Sequence, residues 1–168
     1  MTESLTIRWI SREDYAATRQ LVDDAFRPED VVTFLNVLRG DGCILREWVA
    51  HDGSVLVGHI VFSRVWIAYP TGVRRAAAML TPLAVRPDHQ RTGIGTRLMR
   101  HALAALEIQG ESFFCVLGHP SYYPRVGFRP VIPAEISSPW PNDPAFMVRG
   151  EVPTGGTLQM PKVIADAH

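Results

Sequence analysis

Apolar and polar residues alternate along Leu5-Thr6-Ile7-Arg8-Trp9-Ile10, the period of a half-buried strand. The alternation stops at Ser11, which with Asp14 three places on resembles a helix capping box. The period then becomes helical: Tyr15, Thr18, Leu21, Val22, Ala25 and Phe26 fall on one face. Pro28 at a first-turn position, followed by Glu29 and Asp30, opens a second helix with the stripe Val31, Phe34, Leu35 and Leu38, ended by Gly40 and Gly42. Two strands follow, over 43–50 and 54–67, joined at Asp52-Gly53, a tight-hairpin pair, and the next turn is Tyr69-Pro70-Thr71-Gly72. An extended segment over 75–85 becomes strongly apolar, but Pro82 within it cannot donate to a ladder and so implies a bulge, an edge or a local break in pairing. The longest helical pattern runs from Gly93 to about Gln109 with Ile94, Leu98, Ala102, Ala105 and Leu106 on one side, and Gly110 fits its stop. A short apolar strand over 112–117 then completes a strand, helix, strand unit with parallel strands.

The remaining segment holds nine of the 13 prolines between Pro120 and Pro161, so 130–168 should be loop-rich, with short strands near 146–149 and 158–164. Strands and helices mix throughout, giving an α/β (or α+β) class. At 168 residues, 46% hydrophobic and 20% charged, the chain reads as one compact domain over 1–168 with a real core. Seventeen Lys and Arg balance 17 Asp and Glu, which argues against a dedicated nucleic-acid binder. Cys43 and Cys115 sit among apolar neighbours without CxxC or CxxH spacing and read as buried thiols of a reducing compartment, with no disulfide and no metal site. No signal-like segment or membrane-length apolar run appears, so the expected location is the cytoplasm.

The sharpest local feature is Gln90-Arg91-Thr92-Gly93-Ile94-Gly95-Thr96, placed after an apolar strand and at the start of a helix. Successive backbone N–H groups at a helix N-terminus, with no Cβ at the glycines, can hold a phosphate or diphosphate. A P-loop would need Lys after a glycine, and a dinucleotide fingerprint would need glycine at Leu98. The alternative is a plain tight turn.

Gln90, Gly93 and Gly95 reproduce the Q/R-x-x-G-x-G/A pattern of the GCN5-related N-acetyltransferases (GNAT family), and Tyr123-Pro124-Arg125-Val126-Gly127-Phe128 resembles that family's Y-x-x-x-G-F pattern. The element order over residues 5–130 is also similar, and the stretch from Val116 to Phe128 most resembles the YhbS-type bacterial branch. The resemblance implies a central mixed, twisted sheet of about six to seven strands flanked by helices, with the fourth and fifth strands splayed apart. It implies acetyl-CoA as acyl donor, transferred to an amine of a small molecule or protein, with a homodimer left open; the balanced charge, the missing His and Cys clusters and the lack of a long apolar run argue against nucleic acid, metal and membrane partners. By position in the pattern, Leu83, Ala84 and Val85 would offer backbone groups to the pantetheine arm. Gln90, Arg91, Thr92, Gly93, Ile94, Gly95 and Thr96 would form the diphosphate cradle, with Arg91 and Arg97 able to add charge.

The same alignment makes Tyr123 the proton donor to the coenzyme sulfur, with Tyr122 its rival; a phenol of pKa about 10 and a thiol of about 8.5 are not far out of balance. The oxyanion would be held by a backbone N–H of Val85 or a neighbour. The family's frequent glutamate is missing from Met79–Val85, and its asparagine is replaced in His119-Pro120-Ser121. The base is therefore left open between His119, His59 and water, with His59 read as a core histidine, Glu47 as solvated, and Trp140-Pro141-Asn142-Asp143 as a surface loop or one lip of the site. A second function remains open on these absences: an acyl-CoA-binding sensor or partner module with little catalysis.

Overall fold

The computed structural model describes residues 4–26, 30–132 and 134–167. The expected helix start at Pro28-Glu29 lies outside the described residues. Strand β1 (Leu5–Trp9) leads into a 3-10 turn (Arg12–Asp14) and helix α1 (Tyr15–Ala25), followed by α2 (Val31–Gly40). The sheet continues with β2 (Ile44–Asp52), β3 (Val55–Ala68) and β4 (Arg74–Val85), then α3 (Ile94–Ile108) and β5 (Phe113–Leu117). The C-terminal part adds β6 (Arg129–Pro130), β7 (Phe146–Gly150), β8 (Thr157–Gln159) and α4 (Lys162–Asp166).

Local chemistry accounts for the joints. The Ser11 N–H donates to the Asp14 carboxylate at 2.7 Å, and Arg8 clamps the same carboxylate through two contacts at 2.7 and 2.8 Å. That guanidinium, aided by Ser11, holds the Asp14 carboxyl well below the usual carboxylate range against the opposing effect of burial. Asp30 caps α2 by accepting the Thr33 N–H. Gly53 takes φ +61° at the β2–β3 hairpin.

Among the described residues, eight strands form one mixed sheet in the order β1-β2-β3-β4-β5-β7-β6, with β8 on β3 at Trp66–Ala68. The expected strand over 158–164 shrinks to three residues, because Pro161 lacks the N–H a ladder needs and instead precedes the first turn of α4. Helix α3 covers one face of the sheet, where Trp48, Ile60, Phe62, Leu98 and Phe114 are buried together. Gly58 lets α3 come this close: a Cβ there would lie 2.5 Å from Leu98 Cδ1. The other face carries α1, α2 and α4, the last through Ile164, over Val61, Val65, Phe113 and Phe146. Both cysteines are free; Cys115 is buried, whereas Cys43 at the start of β2 is half-exposed, contrary to its expected burial.

Candidate active site

The site begins with a broken pairing. Strands β4 and β5 are parallel but pair only at Ala78–Phe114 and Met79–Cys115. Beyond Met79, β4 stays registered with β3 as far as Val85, while β5 follows β7 along its whole length. The β3–β4 register shifts between Ile60 and Phe62, so that Thr81 and Pro82 together face Val61, which is the bulge expected from Pro82. The two strands diverge because each is held by its other neighbour. The opening is a cleft of about 1140 Å³.

At one end of the cleft stands the glycine loop. Gly93 is the N-cap of α3 at φ +88°, and nothing lies within 4 Å of where a Cβ would be, so its face is open to the cleft. Gln90 reaches back and donates to the Val85 carbonyl at 3.0 Å, and the Thr92 hydroxyl donates to the His89 carbonyl at 2.5 Å. These two side chains brace the loop. Arg91 adopts φ +62° and lines the cleft, whereas Arg97 does not. Leu83 and Val85 also line it, but Ala84 turns its side chain into the core on the α1/α2 face.

Gly95 serves a different neighbour from the one expected. A Cβ there would lie 2.4 Å from the Tyr122 hydroxyl, so the missing side chain is filled by a tyrosine from across the cleft. Tyr122 precedes a 3-10 turn, Tyr123–Val126, that follows β5. Tyr123 is 9% exposed, stands edge-on to Tyr122 and Phe128 at centroid distances of 5.3 and 5.9 Å, and crosses the face of Gly118. Burial, aided by Tyr122, pushes its phenol up to about 12. Both tyrosines line the cleft.

His119 is exposed on the cleft wall. His59 does not reach the cleft; it is buried, and its Nε2 meets Glu47 Oε1 at 2.9 Å. Because a carboxylate only accepts, Nε2 carries the proton, and Nδ1 has no partner among the described residues. Glu47 is therefore no solvated residue: it is 8% exposed and also paired with Arg39. Burial pushes its carboxyl up, but the hydrogen bonds from His59 and Arg39 outweigh that and bring it down. The signal missing from the sequence was the partner set, which comes from two other elements. Trp140 packs on Phe146 at 5.4 Å and is not part of the cleft wall. The far end of the cleft, unread from sequence, is walled by Phe26, Val31 and Phe34, with Asp30 the single carboxylate among the described lining residues. Among the described residues no group of three His, Cys, Asp or Glu could hold a metal, and no helix is long and apolar enough to cross a membrane.

A mixed sheet splayed beside a glycine-capped helix, with a tyrosine pair across the gap, defines an acyl-transferase class of fold. Residues 45–130 match the family model for the acetyltransferase (GNAT) domain, and the chain belongs to that family. It is 43% identical over 76 residues to the uncharacterized N-acetyltransferase YjhQ of Escherichia coli K12, a match spanning 44% of this chain and only 40% of that relative. It is 27% identical over 130 residues to the uncharacterized N-acetyltransferase YhbS of the same strain, covering 76% of each. A GNAT family acetyltransferase from Brucella melitensis, solved with acetyl-CoA, superposes with a TM-score of 0.77 at 28% identity, over 95% of this chain and 97% of that one. The E. coli YhbS structure in complex with CoA shares the fold at TM-score 0.85 and 23% identity, over 96% and 92%.

Proposed function

We propose that this chain is an acetyl-CoA-dependent N-acetyltransferase that acts on an amine of a small molecule or protein. The observation that carries the reading is the two-residue pairing of β4 with β5, which leaves a cleft running from the open face of Gly93 to the buried Tyr123. The cleft fits the donor: backbone N–H groups from Arg91 to Thr96 meet the diphosphate at the N-terminus of α3, and Leu83 to Val85 offer peptide groups to the pantetheine amides. Gln90 and Thr92 act by bracing that loop.

In the reaction the amine lone pair attacks the thioester carbonyl carbon, forming the C–N bond, and the oxyanion is stabilised by a backbone N–H near Val85. The C–S bond then breaks and the sulfur leaves with the bonding pair. Burial, aided by Tyr122, holds the Tyr123 phenol in its protonated form. Tyr123 serves the leaving sulfur as proton donor, the role its place in the pattern implies, and the phenolate left behind is reprotonated from solvent. The surplus amine proton goes to His119 or to water, since no described carboxylate lines the β4–β5 gap.

Release of coenzyme A across a panel of amines tests this, with Tyr123→Phe expected to lower kcat. The lack of a carboxylate in the gap among the described residues favours a second reading, an acyl-CoA-binding sensor or partner module. Tight binding without turnover on any amine, and no effect of Tyr123→Phe, would establish it. A cytoplasmic location, and a monomer or homodimer in solution, belong to the same proposal and are read by cell fractionation and sedimentation velocity.

A further inference from the structure

We propose that Arg125 is a second jaw of the phosphate site, facing the glycine loop from the opposite wall of the cleft and carried there by Tyr122. This rests on the acyl-CoA reading above. Among the described residues, the arginines that line the cleft are Arg91 and Arg125. Neither forms an ion pair with a described carboxylate, whereas seven other arginines, Arg39 and Arg64 among them, each hold one. Two cleft-lining guanidinium groups without described carboxylate partners, one on the glycine loop and one on the wall that carries Tyr122, are suited to an anion lying between those walls.

The position of Arg125 is built. Its guanidinium carbon lies 5.5 Å from the centre of the Tyr122 ring, so the aromatic face holds the cation, and no described carboxylate takes its N–H groups. The same ring ends with its hydroxyl over Gly95, so Tyr122 spans from Arg125 to the first turn of α3 and fixes the separation of the two walls. The turn itself is tied: the Arg125 N–H donates to the Tyr122 carbonyl at 3.2 Å, and Arg100 of α3 reaches the Arg125 carbonyl at 3.5 Å. Tyr123 shares this turn and touches the Tyr122 ring, so a phosphate gripped by Arg125 also steadies the tyrosine beside the sulfur. The ligand chemistry is a phosphate ester of the donor's nucleotide, either the 3′-phosphate or the diphosphate.

Calorimetric titration of the intact protein with CoA and with dephospho-CoA tests the assignment, using Arg125→Gln, Arg125→Lys, Tyr122→Ala and the remote control Arg12→Gln. Loss of one charge-assisted contact at a partly solvated site should raise the CoA Kd about tenfold in Arg125→Gln. Arg125→Lys should recover part of it and Arg12→Gln should change nothing. Tyr122→Ala should weaken binding in the wild-type background but add little to Arg125→Gln. If the wild-type preference for CoA over dephospho-CoA disappears in Arg125→Gln, Arg125 grips the 3′-phosphate; if both ligands weaken equally, it grips the diphosphate. Wild-type affinity for both ligands in Arg125→Gln overturns the proposal. A wild-type protein that binds neither ligand would instead remove the donor reading itself.

Discussion

Gly118→Ala moves the ring of Tyr123 without altering its hydroxyl. The new Cβ would lie 2.3 Å from Tyr123 Cε2 and within 3.2 Å of two further ring atoms. The ring cannot yield freely, because it is 9% exposed and packed edge-on against Phe128. Overpacking of this kind costs about 1–3 kcal/mol. The Gly118 backbone lies outside the positive-φ region, so the alanine also gains about 0.4–1 kcal/mol by restricting the unfolded chain. The net loss centres near 1 kcal/mol, or about 2–4 °C in Tm for a domain of this size. If the Tyr123 hydroxyl serves the reacting sulfur, Gly118→Ala should lower kcat by a factor comparable to Tyr123→Phe, and the double variant should be little worse than either alone. Thermal melts and coenzyme A release, run on the four proteins of the cycle, supply both readouts. Wild-type Tm and kcat in Gly118→Ala, or an equal loss of kcat in the presence and absence of the Tyr123 hydroxyl, would refute the reasoning.

Gly95→Ala should displace the Tyr122 hydroxyl and weaken CoA binding several-fold while leaving Tm nearly unchanged, since an alanine within α3 gains about 0.5–1 kcal/mol of helix propensity; titration calorimetry and melts check the two halves. Tyr123 is raised in the folded state, so its stabilising contribution is complete below the unfolded phenol value near 10 and is lost as pH rises to about 12. Stability should therefore fall by about 2–3 kcal/mol more across that interval in the wild type than in Tyr123→Phe, as read by urea melts. Glu47 has the opposite sign: its lowered carboxyl contributes stability at neutral pH that disappears as pH falls below the ordinary carboxylate range. Glu47→Ala should cost about 2–3 kcal/mol at pH 7, toward the low side for a buried pair because Arg39 keeps a quarter of its surface in water, and should flatten the acid limb of the stability profile.

The parts of the fold legible in the sequence are those that depend on neighbours along the chain. Gly53 in the hairpin, Pro82 in the bulge, Gly93 at the head of α3 and Gly110 behind it each impose a backbone conformation that few other residues could replace. What stayed hidden depends on elements meeting in space. Glu47 looks solvated by alternation, yet Arg39 from α2 and His59 from β3 converge on it and make its burial affordable. Gly95 looks like a phosphate-facing glycine, but its empty side is taken by a tyrosine 27 positions later. The segment after Leu158 has strand-like apolar residues, and Pro161 turns it into α4 once β3 has accepted only three residues of β8. Among the residues expected to contact the coenzyme, Ala84 and Thr92 do not line the cleft, while Tyr122 and Arg125 do.

The structure of the protein with CoA bound measures the central claim most directly. The account predicts the diphosphate on the N–H groups from Arg91 to Thr96 and the sulfur within hydrogen-bond reach of the Tyr123 hydroxyl, inside the gap where β4 and β5 cease to pair. A sulfur far from both Tyr122 and Tyr123, or a coenzyme seated outside that gap, would contradict it.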